Sequence, residues 1–218
     1  AHELGHGVHG MLAAEAQGPL MMSAPMVYAE TASIFGEMVT FEHMLSKIDD
    51  DQERLALLMG KLDDFMNTVV RQINFSVFEQ TIHNMRAKGK LSVEDFNKVW
   101  MDSTVEFYGK DGDIFKYKDM EHLWSYVGHF MRPFYVYAYA FGELFTQSLF
   151  AKRDSFGDKF ELMYLDLLRK GGTQGAVDLM KPFDLDPNDE GFWLSGIACS
   201  ATKWLDEAER LARKLNMV

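Results

Sequence analysis

The chain is short of cysteine, of positive charge and of long apolar runs. Its single cysteine, Cys199, has no partner for an internal disulfide, so nothing calls for an oxidising compartment and a cytoplasmic location is expected. Lys and Arg total 22 against 33 Asp and Glu, a formal net charge of −11. That sign argues against a surface for phosphate groups, so no nucleic-acid partner is expected. No apolar run reaches the about 18 residues that span a bilayer, and no basic segment followed by an apolar one opens the chain; no membrane association is expected. Sustained two-residue alternation is missing too, which excludes all but a trace of β-sheet.

What is present is helical pattern over 218 residues, 47% of them hydrophobic, enough to bury a sizeable core. The spacing predicts a mainly all-α chain, read as one catalytic region over 1–218. Helices are expected from Ala1 to about Gln17, Met26 to Ser46 and Asp51 to Ala87, the last broken near its middle. Ser92, followed by Glu94 and Asp95, reads as the cap of a helix running to Tyr108. Further helices are expected over about Lys118–Gly128, Arg132–Arg153 and Ser155–Lys170, stopped by Gly171 and Gly172. Two short ones close the chain, about Gly175–Met180 and Asp189–Asn216. The acidic clusters at Asp49–Asp51 and Asp184–Asp189 lack the spaced ligands and glycine of a calcium loop and read as solvated turns and helix starts.

The chemistry is announced at the first residues. His2-Glu3-Leu4-Gly5-His6 has the spacing H-E-x-x-H. Residues four apart lie one turn apart on one helix face, so two imidazoles converge on one Zn²⁺ while Glu3 stands beside it as general base. Gly5 and Gly7 each cost a helix about 1 kcal/mol relative to alanine, which points to close packing or a nearby substrate. A third ligand is required. The longer pattern with a third histidine fails, because His9 stands where its glycine belongs and Leu12 where its last histidine belongs. Glu15 is too far along the same helix. Glu30, Glu37 and Glu42 fall on the second helix, which a short loop returns beside the first. Glu30 and Glu37 are seven apart and share a face; Glu30 is favoured as ligand and Glu37 as the carboxylate that orients a ligand histidine, with a plain surface role open for Glu37.

Three segments carry a resemblance: Ala1–His9, Tyr28-Ala29-Glu30-Thr31-Ala32-Ser33, and Gly128-His129-Phe130-Met131-Arg132-Pro133-Phe134-Tyr135-Val136-Tyr137-Ala138-Tyr139. With Leu167–Gly172 they make the chain similar to the oligoendopeptidase F family of zinc metallopeptidases, relatives of thimet oligopeptidase. The resemblance implies a zincin-like helical region of a zinc endopeptidase that cuts oligopeptides. It implies His2, His6 and Glu30 as zinc ligands and Glu3 as the base. It also implies that His129 and tyrosines of the following segment donate hydrogen bonds to the oxyanion or the substrate backbone. Tyr135 and Tyr139, four apart, are chosen, with Tyr137 left open. His43, His83 and His122 read as structural, and His9 as no ligand.

Family members are much longer, and the motif starts at residue 2 with no capping residue and no initiator methionine. The chain is therefore expected to be the C-terminal, metal-bearing part of a larger peptidase. The rival expectation is a non-catalytic helical piece that binds a peptide or partner through an incomplete metal site.

Overall fold

The structure is a computed structural model that describes residues 1–217. Among them there is no strand. The helices are α1 (His2–Gln17), α2 (Thr31–Lys47), α3 (Asp51–Phe65), α4 (Arg71–Arg86), α5 (Val93–Tyr108), α6 (Tyr137–Ala151), α7 (Arg153–Phe156), α8 (Lys159–Arg169), α9 (Ala176–Met180), α10 (Glu190–Ile197) and α11 (Lys203–Lys214). A π-helical turn, Met66–Val70, separates α3 from α4 at the expected break, and a second, Ala198–Thr202, separates α10 from α11. No helix among the described residues is long and apolar enough to cross a membrane.

The chain forms two compact units, one of residues 1–65 and 141–218, the other of residues 66–140. In the first, α1 lies along α2 and α8, and α11 lies along α3. Its core gathers Phe145 and Leu149 of α6, Leu168 of α8, and Met180 and Phe183, all essentially inaccessible to water. From Gly142 to Phe150 α6 is buried on every side. Its polar residues there are therefore paired: the Thr146 hydroxyl donates to Gly142 O, and the Ser148 hydroxyl to Phe192 O, at 2.8 and 2.7 Å. Glu143, in the same stretch, is pushed up from its ordinary carboxylate value by burial.

In the second unit α4 and α5 pack together around Phe75, Phe78 and Trp100. The expected cap of α5 is present: Ser92 Oγ accepts from Asp95 N and the Asp95 carboxylate accepts from Ser92 N. Asp189 likewise caps α10, accepting from Gly191 N at 3.0 Å, so the acidic clusters serve helix starts as expected.

Besides the expected 155–170 helix, which is split at Gly157 (φ +51°) into α7 and α8, and the later start of α2, two expected helices differ from what forms. Lys118–Gly128 is not an α-helix but turns with short 3₁₀ pieces at Leu123–Tyr126 and Gly128–Met131. The aromatic residues decide it: Trp124 stacks on Phe96 and donates to Asn97 Oδ1 at 2.8 Å, while Phe130 sits against Phe75 and Phe78. The other helix begins at Tyr137 rather than Arg132, because Pro133 disfavours helical geometry at the residue before it, and Phe134 takes φ +58°. That strained turn is tied down by its own N–H, which donates to Oε1 of the buried Glu79 at 2.9 Å.

Candidate metal centre

The site begins with the crossing of α1 over the start of α2. A Cβ placed on Gly5 would lie 2.5 Å from Ala32 O and 2.6 Å from Ser33 Cα, so only glycine admits this approach. Close packing thus accounts for Gly5 but not for Gly7, which faces open space. A second close approach holds the irregular segment between α1 and α2. Gly172 N donates to Met21 O at 2.7 Å, and a Cβ on Gly171 or Gly172 would collide with Met21 O or Ser23 O. Gly171 and Gly172 therefore do more than end α8.

This geometry brings Glu30 to the histidines. Glu30 stands at the N-cap of α2 rather than inside a helix starting at Met26, since Met26–Tyr28 is a 3₁₀ turn and α2 starts at Thr31. Nε2 of His2, Nε2 of His6 and Oε2 of Glu30 form a triangle with edges of 3.2, 3.5 and 3.1 Å. Tetrahedral zinc with bonds of about 2.0–2.1 Å sets its ligand atoms about 3.3 Å apart, so the donor set and its spacing fit that ion. Two imidazole nitrogens and a carboxylate oxygen this close need a shared cation or proton. No other group of three His, Cys, Asp or Glu side chains among the described residues has such an arrangement. The three side chains are each about two-fifths exposed (39%, 37% and 42%), which leaves water and substrate a way in.

The neighbours aim the donors. His2 Nδ1–H donates to Glu37 Oε1 at 2.9 Å, which fixes the tautomer with the Nε2 lone pair toward the cluster. Lys61 lies 3.9 Å from the other oxygen of Glu37. The Ser33 hydroxyl, fully buried, reaches Glu30 Oε2 at 2.7 Å and Glu30 O at 2.8 Å. Sequence reasoning did not single out Ser33; the readable signal was its position three residues past Glu30, where a serine hydroxyl folds back on the helix start. His9 is buried, and burial holds its imidazole below the ordinary histidine value, against the opposing effect of a hydrogen bond to the Ala29 backbone. It is not among the three clustered donors.

Glu3 follows His2 on the first turn of α1 and is exposed. Glu42, the other carboxylate weighed as ligand, instead pairs with Arg153 Nη1 at 2.9 Å. Exposed Glu15 has no place in the cluster.

Replacing Glu37 by alanine should lower zinc affinity by about 10–100-fold, because His2 loses the carboxylate that orients it. Competition with a chromogenic chelator measures this, and an unchanged affinity would reduce Glu37 to a surface carboxylate.

The 66–140 unit holds the other expected residues. The Tyr139 hydroxyl meets His129 Nε2 at 3.1 Å and the Tyr135 hydroxyl at 3.4 Å, and the His129 and Tyr135 rings stack with centroids 5.4 Å apart. Tyr135 is not on a helix face shared with Tyr139, since it precedes α6; a turn in which Ala138 N donates to Tyr135 O brings the two together. The Arg132 guanidinium lies over the Tyr135 ring, 5.0 Å from its centroid. His83 packs on Phe134, and His122 Nδ1 lies 3.4 Å from Asn97 Nδ2, structural contacts for both.

A model of peptidase family M3 matches residues 1–199. Oligoendopeptidase F, chromosomal, of Lactococcus lactis subsp. cremoris is 30% identical over 215 residues, covering 98% of this chain and 33% of its own length. Oligopeptidase PepF of Bacillus subtilis (strain 168) is 32% identical over 186 residues, 85% of this chain and 28% of its own length. The crystal structure of oligoendopeptidase-F from Enterococcus faecium superposes with a TM-score of 0.78 at 25% identity, covering 98% of this chain and 38% of that one. The chain spans about a third of the length of these relatives.

Proposed function

The chain belongs to peptidase family M3, and from that premise we propose that it carries the zinc centre of an endopeptidase that hydrolyses short oligopeptides. The observation that carries the proposal is the triangle of His2 Nε2, His6 Nε2 and Glu30 Oε2, with edges of 3.1–3.5 Å.

In this reading His2, His6 and Glu30 hold the ion. When bound, zinc supplies Lewis acidity, polarising the scissile carbonyl and easing loss of a proton from water. Glu3 takes the proton of the attacking water and returns it to the leaving amine, so its carboxylate is restored at the end of each cycle. Glu37 keeps the His2 ring in register, and Ser33 holds the Glu30 carboxylate. To His129, Tyr135 and Tyr139 we assign hydrogen bonds to the oxyanion or the substrate backbone. The support is their mutual contact and the resemblance of the segment that carries them. Such a donor is worth about 3–4 kcal/mol when charge develops on the carbonyl oxygen.

The test is metal content together with cleavage of an internally quenched oligopeptide. One zinc per chain is expected, with loss of both metal and cleavage in Glu30→Ala. A chain that takes up no zinc, or a Glu30→Ala variant that holds zinc as well as the parent, would leave the non-catalytic reading standing.

A further inference from the structure

A cavity of about 440 Å³ opens within the 66–140 unit, between α4, α5 and the segment that follows α5. That volume falls in the range of small-molecule sites, about 300–1,000 Å³. Its walls are mostly aromatic and apolar: Phe75, Trp100, Tyr108, Phe115 and Val127. Several polar atoms around the cavity are already paired, the Thr104 hydroxyl donating to Trp100 O at 2.7 Å. Trp100 Nε1 donates to Met120 O at 3.1 Å, and the Tyr117 hydroxyl donates to Gly109 O at 2.9 Å.

Asn74 is different. It lines the same cavity, is only 2% exposed, and its Oδ1 has no hydrogen-bond partner. A desolvated carbonyl oxygen without a donor is costly, and such groups in a folded protein call for an explanation. A ligand that brings the donor supplies one. Arg71 and Lys116 line the cavity as well, both exposed, and neither forms an ion pair among the described residues. No Asp or Glu lines it. Nearby Asp111 accepts from Tyr117 N at 2.6 Å. In a chain of net charge −11, a cavity with two cations and no carboxylate selects an anionic ligand. Arg71 and Asn74 are three apart on α4, so they share a face one turn apart, about 5–6 Å between Cβ atoms.

We infer that this cavity binds an aromatic α-carboxylate, with its ring between the apolar walls, a ring N–H or O–H donating to Asn74 Oδ1, and its carboxylate at Arg71 and Lys116. The indole or phenol of one aromatic residue carries the donor, and the same residue carries the carboxylate, so one small molecule brings both groups. The same chemistry is offered by a free aromatic amino acid and by the C-terminal residue of a peptide.

Calorimetric titration of the chain with N-acetyl-L-tryptophan tests the site. Saturable one-site binding is expected, at least about tenfold weaker for the corresponding amide and for Arg71→Met. N-acetyl-L-phenylalanine, which lacks the ring donor, should bind at least about tenfold more weakly than the tryptophan derivative to the parent chain, and equally with it to Asn74→Leu. Arg71 is exposed, so its variant keeps the fold should Asn74→Leu not, and the comparison of ligands on the parent chain needs no variant. Free tryptophan and a tripeptide ending in tryptophan separate the two sources, the tighter binder naming the source. Absence of saturable binding by all of these carboxylates, or equal affinity for acid and amide, would overturn the inference.

Discussion

Glu3→Gln should cut hydrolysis of an internally quenched oligopeptide by about 10²–10⁴-fold while zinc remains bound at one per chain. The two halves of that result come from different parts of α1. Glu3 is adjacent to His2 yet outside the triangle of donor atoms, so its amide isostere leaves metal affinity unchanged. What the amide cannot do is accept a proton from the attacking water. Cleavage assays run beside metal analysis on the same samples separate the roles. Full activity in Glu3→Gln would remove the base from the proposed mechanism, and loss of zinc would move Glu3 into the ligand set. Glu37→Ala should show the opposite pattern, with weakened metal binding as its primary defect.

The second large effect is expected at Gly5. On helix propensity alone, alanine there would stabilise α1 by about 1 kcal/mol. The new methyl carbon, however, would sit 2.5 Å from Ala32 O and 2.6 Å from Ala32 C and Ser33 Cα, all backbone atoms that cannot swing aside. Overpacking of this kind costs about 1–3 kcal/mol, so the net sign is destabilising, and about 2–4 °C of melting temperature goes with each kcal/mol in a chain of this size. The functional consequence is larger. Relief of the clash moves α1 away from the start of α2, and that crossing sets His2 and His6 against Glu30. Zinc affinity should fall at least about tenfold. Gly7→Ala is the internal control, because nothing lies within 4 Å of its added methyl: it should raise stability by up to about 1 kcal/mol and leave zinc affinity intact. Thermal melts and chelator competition on the two variants read both quantities, and an equal response of Gly5→Ala and Gly7→Ala would show that the crossing is not constrained by Gly5.

How far the candidate site was legible differs from residue to residue. The His2 and His6 pair follows from helical periodicity, which is local. The Glu30 and Glu37 pair was legible as two carboxylates two turns apart, and both do reach the histidines. Their separate tasks, one carboxylate at the Nε2 side and the other at His2 Nδ1, come from the crossing of α1 and α2. Tyr135 and Tyr139 were paired on helical spacing, yet Tyr135 lies outside the helix and meets Tyr139 through a turn. The segment from Lys118 to Val136 was least legible. Its aromatic residues satisfy a helical pattern, but Trp124, Phe130 and Phe134 are held by partners distant in sequence, Phe96, Phe75 and His83.

By itself, then, the sequence determined what depends on neighbours within a turn or two: the all-α character, the capped start of α5, the break between α3 and α4, and two imidazoles on one face of α1. The tertiary structure decided what depends on backbone meeting backbone from distant parts of the chain. It chose Glu30 at the start of α2, set Ser33 and Glu37 behind the donor atoms, and turned the aromatic stretch before α6 into 3₁₀ turns. The physical reason is range. Hydrogen bonds within a helix span four residues and are written into periodicity, whereas a metal triangle closed to 3.1–3.5 Å rests on how closely two helices approach, which Gly5 permits and no local pattern specifies.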